Sequence, residues 1–332
     1  MVRRRGVVVA AVAAGLLLLG AAVYGLAVVD RPRVQSVDNS WGTVTAERTE
    51  VVSDIRVDNP LLLRLGDGVA DVRYNVTLNG VRMASGVERG VRLGGSDDVV
   101  TVRTWLDNDK IQPWWVSHVN RNETTTVRVD PEVRVDYAGV DLPAEEATRT
   151  RTVRTDLLEP LNTERNRSVA VFGRTALVVE ETSARWGEAT RARTPIRAST
   201  TVTNELPVAV PLTDVRYTIR MNGIVVGRGT AAGRTVIPAE STRQVALRAD
   251  IDNSKLDEWW VTHRRRNGSS RLSVAFDATV GYRDVDRRVT LDGLTYNRTF
   301  RTDIFDEESN GSATPGTPAV RGSPARASRG AT

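Results

Sequence analysis

One stretch of this sequence occurs twice. LDNDKIQPWWVSHVNRNETTTVRV begins at Leu106, and IDNSKLDEWWVTHRRRNGSSRLSV begins at Ile251, 145 residues later. Each holds Asp-Asn, Lys, an aliphatic residue, Trp-Trp-Val, a hydroxyl residue and His. The chain has seven Trp and two His, and this stretch takes four of the Trp and both His. A repeat of this kind decides the architecture before any local reading does, because a unit written twice folds twice. In the second copy Leu256, Trp259, Trp260 and His263 fall at i, i+3, i+4 and i+7, one face of a helix. Asp252 or Asn253 can cap its start, and Asn267-Gly268 suits its end. The first copy offers Ile111, Trp114, Trp115 and His118 at the same spacing. Pro113 is cheap only in a first turn, so the regular helix there is expected to start near it.

The repeat extends on both sides. Trp41-Gly42 matches Trp186-Gly187, and Asp71-Val72-Arg73-Tyr74 matches Asp214-Val215-Arg216-Tyr217. Each Tyr segment runs into Asn-Gly, at Asn79-Gly80 and Asn222-Gly223, the strongest short signal for a hairpin. Tyr74, Val76 and Leu78 alternate with Arg73, Asn75 and Thr77, the period of a strand with one buried face. Both copies close on near-identical phrases, Arg151-Thr-Val-Arg-Thr-Asp-Leu-Leu158 and Arg298-Thr-Phe-Arg-Thr-Asp-Ile-Phe305. Short, turn-bounded alternating strands suggest an all-β chain of two β-sandwiches, each with one short helix. The expected units are 31–158 and 179–305, joined by a linker at 159–178. The tail at 306–332 has almost no large apolar residue and is expected to be disordered.

Met-Val-Arg-Arg-Arg precedes an uncharged run from Gly6 to Val29, long enough to span a bilayer. Residues 1–30 thus read as a membrane anchor with the arginines cytoplasmic and both units outside. A cleaved signal peptide is the rival, and Arg4-Arg5 loosely resembles a twin-arginine export signal. The net charge of +5 is not concentrated in a basic stripe, which argues against nucleic acid. The absence of cysteine excludes disulfides, cysteine-ligated zinc and thiol catalysis.

An Asn-Pro element, a Tyr strand ending in Asn-Gly, a further strand, a short helix and a final sheet strand, in that order, resemble the WHy module, and all but the Pro recur in the second copy. This is the LEA type 2 module of water-stress and hypersensitive-response proteins. The resemblance covers about 34–158 and 179–305. Val57-Asp58-Asn59-Pro60 matches the family's opening better than Thr203-Asn204-Glu205-Leu206, which lacks the Pro. It implies an immunoglobulin- or fibronectin III-like sandwich. It also implies a non-enzymatic role in water, desiccation or salt stress, or association with lipid or envelope components, without a cofactor. A structural or adhesive stalk binding a glycan or partner protein is the alternative.

His118 and His263 invite a catalytic or metal reading. No motif supplies a nucleophile or further ligands, so packed histidines are expected, with a ligand contact as the remaining option. The Trp pairs read as core, one ring on the sheet and the other more exposed, with an aromatic binding surface as the rival. Six Asn-x-Ser/Thr sequons, at Asn75, Asn122, Asn166, Asn267, Asn297 and Asn310, would be accessible to glycosylation outside the cell, or stand unused.

Overall fold

The computed structural model describes residues 33–302, apart from the short segments 59–67, 94–96, 138–139, 144–147, 165, 172–173, 283–284 and 292–294. The expected anchor at 1–30, the Asn59-Pro60 element, Asn310 and the tail at 306–332 lie outside the described residues. Among the described residues no helix is long and apolar enough to cross a membrane.

The described chain is mostly strand, in four sheets. Strands β1 (Arg33–Val44), β2 (Arg48–Asp58) and β5 (Asp97–Asp107) form one antiparallel sheet in the order β1-β2-β5. A second sheet takes β3 (Gly68–Leu78), β4 (Val81–Leu93), β6 (Thr124–Tyr137) and β7 (Val140–Pro143) in the order β4-β3-β6-β7, with β8 (Arg149–Arg154) also on β6. The same arrangement then recurs. Strands β10 (Arg174–Trp186), β11 (Arg193–Asn204) and β15 (Thr242–Asp252) repeat the first sheet in the order β15-β11-β10, extended by β9 (Arg167–Val171). Strands β12 (Val210–Met221), β13 (Ile224–Ala232), β16 (Ser269–Tyr282) and β17 (Val285–Thr290) repeat the second, with β14 (Thr235–Ile237) on β12 and β18 (Tyr296–Arg301) on β16.

Alternation builds each buried face. On β3, Val72, Tyr74, Val76 and Leu78 are buried while Arg73 is exposed. On β12, Tyr217, Ile219 and Met221 are buried while Arg216 and Arg220 are exposed. Each such aliphatic side chain contributes about 1.5–3 kcal/mol on burial. Both hairpins are the tight kind expected. Asn79 and Gly80 have φ of 51° and 83°, and Asn222 and Gly223 have 53° and 90°, the positive pair that matches strand twist. The Asn side chains then act at longer range. Asn79 Oδ1 accepts from Thr126 N (2.7 Å) and its Nδ2 donates to Thr124 O (2.9 Å), fixing the start of β6. Asn222 does the same for β16 through Arg271 N (2.9 Å) and Ser269 O (3.3 Å).

Two helices, α1 (Ile111–Val119) and α2 (Leu256–Arg265), each follow a 3-10 turn, Asn108–Lys110 and Asn253–Lys255. α1 begins two residues before Pro113, earlier than expected. Pro113 still falls in the first turn, where backbone N–H groups have no helical partner. Asp252 Oδ1 caps the second turn from Ser254 N (3.0 Å), while Asn253 turns inward. Gly268 N donates to His263 O (3.0 Å) at φ +71°, ending α2 as expected.

Residues between the units do more than join them. Glu159–Leu161 form a 3-10 turn, β9 pairs with β10, and β10 starts at Arg174. The joining segment is therefore partly an edge strand of the second unit. The buried apolar residues of both units form one continuous cluster.

Candidate functional site

The four repeat tryptophans meet where α1 packs against α2. Adjacent residues on a helix diverge by about 100°, so Trp114 and Trp115 cannot face the same neighbour. Trp114 Nε1 donates to Thr125 Oγ1 (3.0 Å) on β6 of its own unit, and Trp259 Nε1 to Ser270 Oγ (2.8 Å) on β16 of its own. The second ring of each pair crosses. Trp115 Nε1 donates to Thr194 Oγ1 (2.9 Å) in the second unit, and Trp260 Nε1 to Thr49 Oγ1 (3.1 Å) in the first. All four rings are buried, which corrects the expectation of one more exposed ring per pair.

The receiving hydroxyls are held in the same way on both sides. Thr49 Oγ1 donates to Asn108 Oδ1 (2.8 Å), and Thr194 Oγ1 to Asn253 Oδ1 (2.9 Å). Asn108 Nδ2 binds Ala46 O (2.9 Å), and Asn253 Nδ2 binds Thr190 O (2.8 Å). Each buried Asn-Thr-Trp chain thus satisfies its own donors, as a low-dielectric site requires. Edge-to-face contacts link Trp115 with Trp259 (5.8 Å) and Trp114 with Trp260 (6.1 Å). Trp186 and Trp41 close the cluster against Trp115 (6.1 Å) and Trp260 (5.6 Å). Such pairs add about 0.5–1.5 kcal/mol beyond their area.

The histidines are buried beneath the first ring of each pair. His118 Nε2 lies 2.9 Å from Thr155 Oγ1, whose proton goes to Glu123 Oε2 (2.7 Å). Nε2 must therefore carry the hydrogen and donate. Nδ1, 2.8 Å from Thr125 Oγ1, then accepts from that hydroxyl. This tautomer is neutral, and burial pushes the His118 pKa down to about 4. His263 repeats the geometry with Ser270 Oγ (2.8 Å) and Thr302 Oγ1 (2.9 Å). Both ring nitrogens of each histidine are engaged by neighbouring hydroxyls, so neither ring is aimed at solvent.

Glu123 is the residue the sequence reading missed. It is buried at φ 55°. Its Oε1 accepts from Trp186 Nε1 of the other unit (2.7 Å), and Oε2 accepts from Thr155 Oγ1 (2.7 Å) and Leu157 N (2.8 Å). A signal was present: Glu123 stands where the second copy has Gly268. Among the sequons, Asn122, Asn166, Asn267 and Asn297 are exposed, and Asn75 is half-buried on β3.

Residues 199–293 match the family model LEA_2, late embryogenesis abundant protein. Comparison with curated proteins gives no match. Among solved structures, the chain is similar to a protein from Archaeoglobus fulgidus, at 28% identity over 38% of this chain and 98% of that one, TM-score 0.35. It is also similar to an Arabidopsis thaliana protein solved in solution, at 11% identity over 38% and 83%, TM-score 0.30. A β-glucuronidase from glycoside hydrolase family 2 aligns at 11% identity over 82% of this chain and 27% of that one, TM-score 0.24. The part of the chain that matches the LEA_2 model, residues 199–293, is the part of the second unit that holds its Asn-Gly hairpin, α2 and the crossing Trp260.

Proposed function

We propose that this chain is a non-enzymatic protective protein of the cell envelope, acting under water, desiccation or salt stress. In this reading both units are LEA_2-type sandwiches, and the run Gly6 to Val29 anchors them outside the membrane. The observation that carries it is the LEA_2 match at residues 199–293. The repeated strand order, hairpin and helix support extending that assignment to the first unit. The closed state of the Trp-His junction supports a role without catalysis, since its polar groups serve one another.

The test is survival of a strain lacking the protein after drying or salt shock, compared with the complemented strain. Reduced survival restored by the full chain supports the reading. Restoration by a His118→Gln, His263→Gln variant, with its melting temperature measured in parallel, supports the non-catalytic part. Equal survival of deletion and parent strains under all these stresses overturns the protective role. Protease added to intact cells checks the placement: units that survive in intact cells and are digested only after lysis would show the opposite orientation.

A further inference from the structure

The outer face of the second unit carries an arrangement that sheet stability disfavours. Arg185, Arg197 and Arg248 stand directly opposite one another on the adjacent strands β10, β11 and β15. All three are exposed. Neighbouring strands lie about 4.8 Å apart, so the guanidinium groups form a row across the sheet. Like charges in direct register cost stability. None of the three has an ion pair or side-chain hydrogen bond among the described residues.

The first unit provides the control. Its equivalent row, in the same register, is Ser40, Val52 and Arg103. Arg103 is paired there with Glu50 (3.0 Å). The second unit has Pro195 at the position of Glu50, so Arg248 loses that carboxylate as the two other arginines are added.

Short side chains flank the row: Ser183, Ser199 and Ala246 on one side, Pro195 and Asp250 on the other. They leave a trough of about 620 Å³ alongside the guanidinium groups. Guanidinium forks match carboxylates in a bidentate manner. Asp250 and the two serines can hydrogen-bond hydroxyl groups, and Asp250 opposes a dense run of phosphates. Among the described residues, the outer face of the trough presents no aromatic ring on which a nucleobase could stack.

We propose that this trough binds an acidic oligosaccharide, with sugar carboxylates on the Arg185, Arg197 and Arg248 row and sugar hydroxyls on Asp250, Ser183 and Ser199. The assignment does not rest on the protective role or on membrane anchoring.

The test is titration calorimetry of the full chain in detergent micelles with trigalacturonate, using maltotriose and tripolyphosphate as competitors of different chemistry. Trigalacturonate should bind, weaken as salt rises, and be displaced by neither competitor at equal concentration. Installing the first unit's row, Arg185→Ser with Arg197→Val, should weaken binding about tenfold or more, two charge-assisted contacts being lost. The melting temperature of that variant should hold or rise, because repulsion is relieved. If it falls sharply, Arg248→Gln alone serves as the binding test. No binding of trigalacturonate, equal binding of maltotriose, or unchanged affinity in a folded variant overturns the proposal. Tighter binding of tripolyphosphate would reassign the row to phosphate and equally overturn it.

Discussion

Trp186 and Trp41 occupy equivalent places in the two units, yet one is held by a carboxylate and the other by a guanidinium. Trp186 donates to buried Glu123 across the junction (2.7 Å). The ring of Trp41 instead lies 4.0 Å from the Arg264 guanidinium carbon, also across the junction. The exchange is complete at both positions. Where the second unit has Arg264 the first has Val119, and where the first has Glu123 the second has Gly268. A side chain at Gly268 would come within 2.7 Å of Thr302 O and 3.3 Å of Arg264 Nη1. Glu123 tolerates its positive φ because it accepts three hydrogen bonds there. The centre of the junction, made of Thr, Asn and the crossing Trp, is the same on both sides. Only its two outer flanks differ in charge.

The largest effect should come from the shared centre. Trp115→Ala and Trp260→Ala should each cost about 3–5 kcal/mol, the usual range for truncating a buried aromatic. Urea unfolding should stay a single transition, because each ring belongs to the core of both units. Costs differing by more than about 1.5 kcal/mol would show that the geometric symmetry is not an energetic one. An isolated 165–302 fragment should melt well below the whole chain, since it exposes the Trp260 face.

Acid should act next, and on the first unit through His118. Its folded pKa, near 4, lies below the ordinary histidine value of 6.5, so the unfolded state takes up a proton first. Stability from this group is fully present above pH 6.5 and falls as pH drops towards 4, by about 3 kcal/mol in total. Chemical melts of the parent and of His118→Gln at pH 7 and pH 4.5 should show a smaller pH difference in the variant. An unchanged difference would remove His118 as its source.

The flanks should separate more gently. Glu123→Gln places an amide against the Leu157 N–H and the Thr155 hydroxyl, and should cost about 1–3 kcal/mol. Arg264→Met keeps much of the packing and loses the ring contact, costing about 0.5–2 kcal/mol. A larger loss for Arg264→Met would reverse the ranking of the flanks. Gly268→Ala should cost about 1–3 kcal/mol from its φ and from contact with Thr302 O. A neutral result, read by thermal melting, would mean that the turn relaxes easily.

Much of this was legible because it is local. Asn79-Gly80 and Asn222-Gly223 fix their own turns, and alternation on β3 and β12 sets which side is buried. The crossing was not legible. Thr49 and Trp260 are 211 residues apart, and no periodicity connects them. The adjacent Trp pair did carry a hint, since two neighbouring rings on one helix need two different surroundings. The arginine row was hidden for the same reason. Arg185, Arg197 and Arg248 meet only once three strands are in register, and one by one they look like ordinary solvated residues.

The reciprocal Trp crossing has a further consequence because both partners lie on one chain. In an assembly of separate identical subunits, such a junction would fail on dilution, and every substitution would appear twice. Here association is intramolecular, so the junction holds at any protein concentration. Each side can also change alone. A charge added to one flank, or a row of arginines laid on one outer sheet, leaves its counterpart as it was. The linked pair therefore keeps the mutual support of a dimer while allowing its two halves different surfaces.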